Sequence, residues 1–440
     1  MPRDSGTNGG YNGRRALFSL KIVSGGFMCA RELPLNLVMV TLDCVRPDHL
    51  GCYGCRHVET PNLDALASHG VLFEQALTHA PNTWVSHATI FTGLLPPRHG
   101  LRAASNRISP DAVTLAEWLS GLGYATAGFP GTTLVGRPMG FHRGFHLFHE
   151  AWWDNGWRVQ ENVWRRNWEE ALGLAFDWMR RARQPFFVWL HYMDTHHLPE
   201  IRLPDYFRRH FSPRWQNYDG KISYADQVCT GPLLEFLKSH GLLERTALTV
   251  FSDHGEELHD DDRPLHDLGL GEDVIRVPLV FHLPGTVLGA PRRVPDQVRL
   301  LDLFPTLCDL LGIPCPQDLD GASLVPLFHG RPVEGADFSL AYLENWPKGL
   351  LGLRTPEWKL ILRYPRPKER DTAELLVEGL YHLPTDPSER VDVSGAHPVV
   401  VEHLRANCLR LSRGRPEELL ITDEEAELVD RALRALGYLD

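Results

Sequence analysis

Residues 36–43 read NLVMVTLD, a nearly continuous apolar run that stops abruptly on Asp43. A strand that is apolar throughout, and not at alternate positions, is buried on both faces, as in a parallel sheet covered by helices. The pattern recurs at ATAGF (125–129), FFVWLHYM (186–193), TALTVFS (246–252) and VPLVFHL (277–283). Helical patterns separate these runs, notably at 113–122, 161–182 and 221–240. A shorter helix over NLDALASHG is opened by Thr60-Pro61, a capping residue followed by proline at the first helical position. Strands alternating with helices predict an α/β fold, a mostly parallel central sheet flanked by helices.

This pattern is expected to occupy residues 35–335. Beyond it, LRTPEWKLILRY (353–364) and GLYHLP (379–384) read as antiparallel strands, followed by a helix around 398–411. Residues 336–412 are therefore expected to form a small C-terminal α+β subdomain. A helical tail follows over 413–440, where DEEAELVDRALRALGYL (423–439) has an apolar stripe suited to docking on the body. Residues 1–34 read as a leader without fold. Lys21 and Gly25-Gly26 interrupt the apolar stretch that an export signal needs, so a cytoplasmic location is expected.

The 440 residues, 43% hydrophobic and 23% charged, suit a globular protein with a large core. A net charge of -11 argues against nucleic acid as a partner, because phosphate backbones require a positive footprint. A small anionic substrate stays compatible with that charge if a metal ion reverses the field locally. No apolar run is long enough to span a membrane. Cys52 and Cys55 form a CxxC with no second pair to complete a zinc site, and read as turn residues. The oligomeric state is left open.

Open parallel sheets carry their sites just beyond the carboxyl ends of their strands. The first strand ends in Asp43, and TALTVFS runs directly into Asp253-His254. Such mixed oxygen and nitrogen donors suit one divalent cation. In APNTWVSHATIFTGLLPPRHG (80–100), Thr83 precedes a helix over roughly 84–92 whose amides and dipole favour an anion. A hydroxyl beside a cation there can lose its proton and attack phosphorus or sulfur. Singly, Asp43 reads as a helix cap and Thr83 as an N-cap. Their combination points to chemistry.

At these residues the chain resembles the sulfatase family. LDCVRPDHLGCYG (42–54), TPNLDALASHGVLFEQA (60–76) and SHATIFTGLLPPRHG (86–100) look like its N-terminal blocks. FSDHGEE (251–257), HDLGLGEDVIRVPLVFHLPG (266–285), LLDLFPTLCDLLGIP (300–314) and LDGASLVPLF (319–328) continue in order, so the similarity covers about residues 36–390. The resemblance implies an alkaline phosphatase-like sandwich and metal-dependent ester hydrolysis. It implies Asp43, Asp253 and His254 as metal ligands, joined by Thr83, and Thr83 as nucleophile. His196 matches a histidine that contacts substrate or leaving group, and His266 matches a residue that contacts the transferred anion. His87 stands where the arginine of the sulfatase C-x-P-x-R motif lies and is expected at the substrate.

Two departures stand out. Many sulfatases carry a second Asp after the first; here it is Cys44, so the metal shell is expected to be thinner, or completed by Thr83, substrate and water. Active sulfatases oxidise Cys or Ser at the nucleophile position to formylglycine. Oxidising threonine would give a ketone, so no formylglycine is expected. Threonine serves in related phosphodiesterases, which favours phosphate or phosphonate esters cleaved through a covalent Thr83 intermediate. The alternatives are a sulfuric-ester hydrolase using plain threonine and a non-catalytic relic that binds without turnover. Asp194, His197 and His266 are candidates for a second cation, although a single ion is the expectation. Trp152, Trp153 and Trp157, amid Arg158, Arg165 and Arg166, read either as pocket lining or, with Trp164, Trp168 and Trp178, as packing.

Overall fold

The computed structural model describes residues 34–150, 168–196, 216–258, 264–265, 269–285, 290–333, 341–345, 348–365, 375–413 and 420–435. Its strands, in chain order, begin with β1 (Asn36–Leu42), β2 (Val71–Leu77), β3 (Ala125–Phe129), β4 (Leu147–Phe148), β5 (Phe186–Tyr192) and β6 (Thr246–Ser252). A short hairpin of β7 (Glu257–Leu258) and β8 (Pro264–Leu265) precedes β9 (Arg276–His282) and β10 (Arg292–Arg299).

Eight of these strands form one sheet in the order β10-β2-β9-β6-β1-β5-β3-β4. β1 pairs in parallel with both β5 and β6, and every residue of the three strands is buried. That double-sided burial is why their sequences are apolar without alternation. β3 is parallel to β5 and to β4, and β10 to β2, while β9 runs antiparallel to both its neighbours, β2 and β6. One reversed strand among eight makes the sheet mostly parallel, as expected.

Three strands of this sheet were not anticipated: β4, only two residues long, and the longer β2 and β10. β2 carries Glu74 and Gln75 at half-buried positions, and edge strand β10 exposes Arg292, Arg293 and Asp296. Neither is buried on both faces, so neither shows the unbroken apolar run.

The helix expected over 221–240 is three pieces: Gln216–Ala225, a π-helical turn Asp226–Thr230, and Gly231–Ser239. Pro232 has no N–H to bond one turn back, and the widened turn accommodates it. That turn aims Asp226 at helix α1 (Pro61–Ser68), where its carboxylate accepts from the amides of Asn62 (2.9 Å) and Leu63 (2.8 Å). Asp226 thus does the capping expected of Thr60, whose hydroxyl instead accepts from the Gly51 amide and donates to Asp64.

β11 (Ala341–Asn345), β12 (Leu350–Arg354), β13 (Trp358–Arg363) and β14 (Leu376–His382) form a separate four-stranded antiparallel sheet in that order. Helix Pro398–Leu411 packs on it through Leu404 and Cys408. Glu272, just before β9, reaches Arg354 of β12 (3.0 Å) and Lys359 of β13 (3.3 Å), linking the small sheet to the large one. The last described helix, Asp423–Ala435, inserts Val429 and Ala432 into the main core. Among the described residues no helix is long and apolar enough to cross a membrane.

Candidate active site

The three central strands end level, because Leu42 is paired with both Tyr192 and Ser252. Asp43 and Asp253 therefore leave neighbouring strands at the same edge of the sheet. Asp43 is anchored by its main chain: its amide donates to the Tyr192 carbonyl (2.9 Å) and its carbonyl accepts from the Thr195 hydroxyl (2.6 Å). Its Oδ2 lies 2.9 Å from His191 Nε2 and its Oδ1 2.8 Å from Cys44 Sγ. Asp253 Oδ1 accepts from the Cys44 amide at 3.3 Å.

The Asp253-His254 turn is held by hydroxyls. Ser86 Oγ donates to the Asp253 carbonyl and Ser252 Oγ to the His254 carbonyl, both at 2.7 Å. Gly255 follows because the chain there runs against residues 273–274: its amide donates to the Val274 carbonyl, and a Cβ would sit 2.0 Å from the Asp273 carbonyl oxygen. His254 Nδ1 lies 2.9 Å from the Gly255 carbonyl, so it carries the proton and Nε2 presents its lone pair. That Nε2 lies 3.2 Å from Thr83 Oγ1 and 3.6 Å from Asp253 Oδ2.

Thr83 opens helix α2 (Thr83–Thr92), every residue of which is buried. The N-cap is Asn82, with extended dihedrals of φ -124° and ψ 143°, so Thr83 is the first helical residue and not the cap. Its hydroxyl is left facing His254.

Asp253 Oδ2 tests whether a cation fits. It is fully buried and has no hydrogen-bond partner, an arrangement that costs several kcal/mol unless positive charge meets it (roughly, for an ionised carboxylate). Around it, Asp43, Cys44 and His254 bring donor atoms within 4.8 Å of one another, as do His87, His191 and Asp253. The residues present fit a divalent cation. Cys44 lies inside the first of these two groups.

His87 does not meet its expectation as a substrate contact. Its Nδ1 lies 2.7 Å from the Thr83 carbonyl one helical turn back, and its Nε2 3.3 Å from Thr41 Oγ1, which also receives the indole N–H of Trp189. Both ring nitrogens are thus taken by the protein. Burial, then the neighbouring His191, pushes the imidazole down to about 3, so it is neutral and cannot replace an arginine's charge. It braces the first turn of α2.

His196 follows β5 at the same sheet edge and is buried, its carbonyl accepting from Lys221 Nζ at 3.0 Å. His266, His197, Trp152, Trp153, Trp157 and Trp164, together with Arg158, Arg165 and Arg166, lie outside the described residues. Asp194, named with His197 for a second cation, is half-buried, and desolvation, offset in part by Lys221, raises its carboxyl to about 7. Trp178 packs edge-on against Phe186 at the core. His191 was missed by sequence reasoning. The available signal was a lone imidazole near the end of an otherwise apolar strand.

Comparison with known proteins decides the family. The sulfatase family model matches residues 35–313, and the model for the C-terminal region of N-sulphoglucosamine sulphohydrolase matches 262–412. The chain belongs to the sulfatase family. Arylsulfatase A of Homo sapiens is 27% identical over 88% of this chain and 89% of that protein. An arylsulfatase of Clostridium perfringens is 25% identical over 69% and 80%. The phosphonate monoester hydrolase of Agrobacterium radiobacter shares the fold at a TM-score of 0.70 and 22% identity, covering 86% of this chain and 95% of that one. The protein is thus an enzyme of the sulfatase and alkaline phosphatase-like hydrolase superfamily.

Proposed function

We propose that this enzyme hydrolyses phosphate or phosphonate esters through a covalent intermediate on Thr83. The observation that carries the reading is a plain threonine hydroxyl at the first residue of α2, 3.2 Å from a ring nitrogen of His254. Asp43, Asp253 and His254, with Thr83, would hold one divalent cation. When bound, that ion favours the Thr83 alkoxide and neutralises charge on the transferred group. Thr83 Oγ1 attacks phosphorus in line and the ester oxygen departs. His196 and His266 steady the anion or return a proton to the leaving oxygen. Water then attacks the phospho-threonine, the P–O bond to Thr83 breaks, and phosphate or phosphonate leaves. An alcohol in place of water would make the reaction a transfer.

The side chain at position 83 favours phosphorus over sulfur. A formylglycine hydrate releases its sulfate by collapsing to an aldehyde, without a second attack at sulfur. A threonine sulfate has no such route. A phospho-threonine is attacked more readily once its oxygens are neutralised. The second reading, a sulfuric-ester hydrolase with unmodified threonine, draws support from the arylsulfatases among the relatives. Rates on matched aryl phosphate diesters, phosphonate monoesters and aryl sulfates test the two. Phosphorus esters are expected to be turned over much faster. Aryl sulfates cleaved at least as efficiently would establish the second reading instead.

A further inference from the structure

We propose that Cys44 is itself a ligand of the cation, and that its sulfur sets the site's preference toward zinc-like ions over calcium or magnesium. The inference rests on the cation site proposed above and deepens it.

Cys44 is wholly buried and has φ +58°, a left-handed conformation uncommon for a residue with a side chain. Two bonds hold it there: its amide donates to Asp253 Oδ1 (3.3 Å), and its carbonyl accepts from the Tyr218 hydroxyl (2.7 Å). Tyr218 in turn accepts from the amide of Arg46, two residues on, at 2.8 Å. This backbone turns Sγ to within 2.8 Å of Asp43 Oδ1 and 3.9 Å of His254 Nε2. A cysteine serving only as core packing has no need of such a backbone.

Donor spacing indicates the kind of ion. Bonds of about 2.3 Å to sulfur and about 2.0 Å to nitrogen or oxygen, tetrahedrally arranged, place sulfur roughly 3.6 Å from the other donors and the lighter donors about 3.3 Å apart. The two sulfur distances bracket the first value, and the 3.2 Å between Thr83 Oγ1 and His254 Nε2 matches the second. Calcium and magnesium take oxygen shells, and a thiolate selects a softer ion. A second and independent observation points to the same place. Asp253 Oδ2, fully buried and without a hydrogen bond, lies 3.6 Å from His254 Nε2. On binding, the Cys44 proton leaves to solvent and Sγ coordinates as thiolate.

Cobalt(II) reports directly on sulfur ligation. The full-length protein is stripped with chelator and reloaded with cobalt as wild type, Cys44→Ser and Cys44→Asp. Aspartate tolerates a left-handed backbone better than most residues, so the second variant guards against a folding failure in the first. Wild type is expected to take up cobalt stoichiometrically and to show a near-ultraviolet sulfur-to-cobalt charge-transfer band. Both variants should lose that band while retaining cobalt, and Cys44→Asp should shift the preference from zinc toward calcium. Stoichiometric cobalt without the band in wild type overturns Cys44 as a ligand and leaves the cation site standing. A band that survives in Cys44→Ser also overturns it, since the sulfur is then another one. Failure of wild type to bind cobalt, zinc or calcium overturns both the ligand and the site.

Discussion

His191 Nε2 and Asp43 Oδ2 lie 2.9 Å apart, and neither side chain is exposed to solvent. The Gly131 amide donates to His191 Nδ1 at 3.3 Å, which leaves the ring proton on Nε2, facing the carboxylate. One oxygen of Asp43 is thereby fixed and the other is turned toward Cys44. Fixing a carboxylate in this way is worth roughly ten- to a hundredfold in metal affinity. His191→Ala should therefore weaken zinc binding to metal-free protein by about that factor, and His191→Gln, which keeps an N–H donor, should recover part of it. Calorimetric titration checks both, and an unchanged affinity in His191→Ala would reduce the pair to packing.

Thr83→Ala separates the hydroxyl's chemistry from its structural role. As the first residue of α2, Thr83 caps nothing, so stability should change by no more than about 1 kcal/mol. Turnover should fall by several orders of magnitude if the hydroxyl is the nucleophile. Denaturant unfolding and kcat are the two measurements. Activity within about tenfold of wild type would remove Thr83 from the mechanism.

Asp253→Asn should move stability in opposite directions with and without metal. In metal-free protein it replaces a buried carboxylate whose Oδ2 lacks a partner, so Tm should rise. With a divalent cation present the variant should gain less Tm than wild type, because the cation stabilises the folded state only as tightly as it binds. Thermal melts with chelator and with added zinc give the comparison. A variant less stable than wild type under both conditions contradicts the cation reading of Asp253.

Glu272 makes the acid side of the stability curve readable. Burial alone would raise its carboxyl, but Lys359 and Arg354 outweigh burial and hold it from 4.5 down to about 2. The unfolded chain therefore takes up this proton at higher pH than the folded one. The contribution is full above about pH 4.5 and is lost as pH falls toward 2. A difference of about 2.5 (4.5 less 2) corresponds to roughly 3 kcal/mol at neutral pH. Glu272→Gln should cost about that much at pH 7 and much less at pH 3, measured by urea unfolding. An equal cost at both pH values would mean that the ion pairs are not its source.

The amino-acid sequence by itself determined which segments are buried and where they stop. NLVMVTL, FFVWLHYM and TALTVFS announced β1, β5 and β6, because burial on both faces is a requirement on each residue separately. The polar residues that end such runs, Asp43 and Asp253-His254, were legible for the same reason, as was a helix beginning about Thr83. Tertiary structure alone decided the relations between segments. VPLVFHL carries no mark of being the one reversed strand, and the half-polar β2 and edge strand β10 lack the apolar run that would reveal them. Thr60 looked like the cap of α1, yet Asp226 caps it from 164 residues away. Nothing in the sequence around Cys44 shows that a left-handed backbone brings its thiol within 3.9 Å of His254, 210 residues away. Local composition reports the cost of contact with water, which each side chain meets alone. Distances between donors depend on strand register and main-chain dihedrals, which exist only once the sheet has assembled.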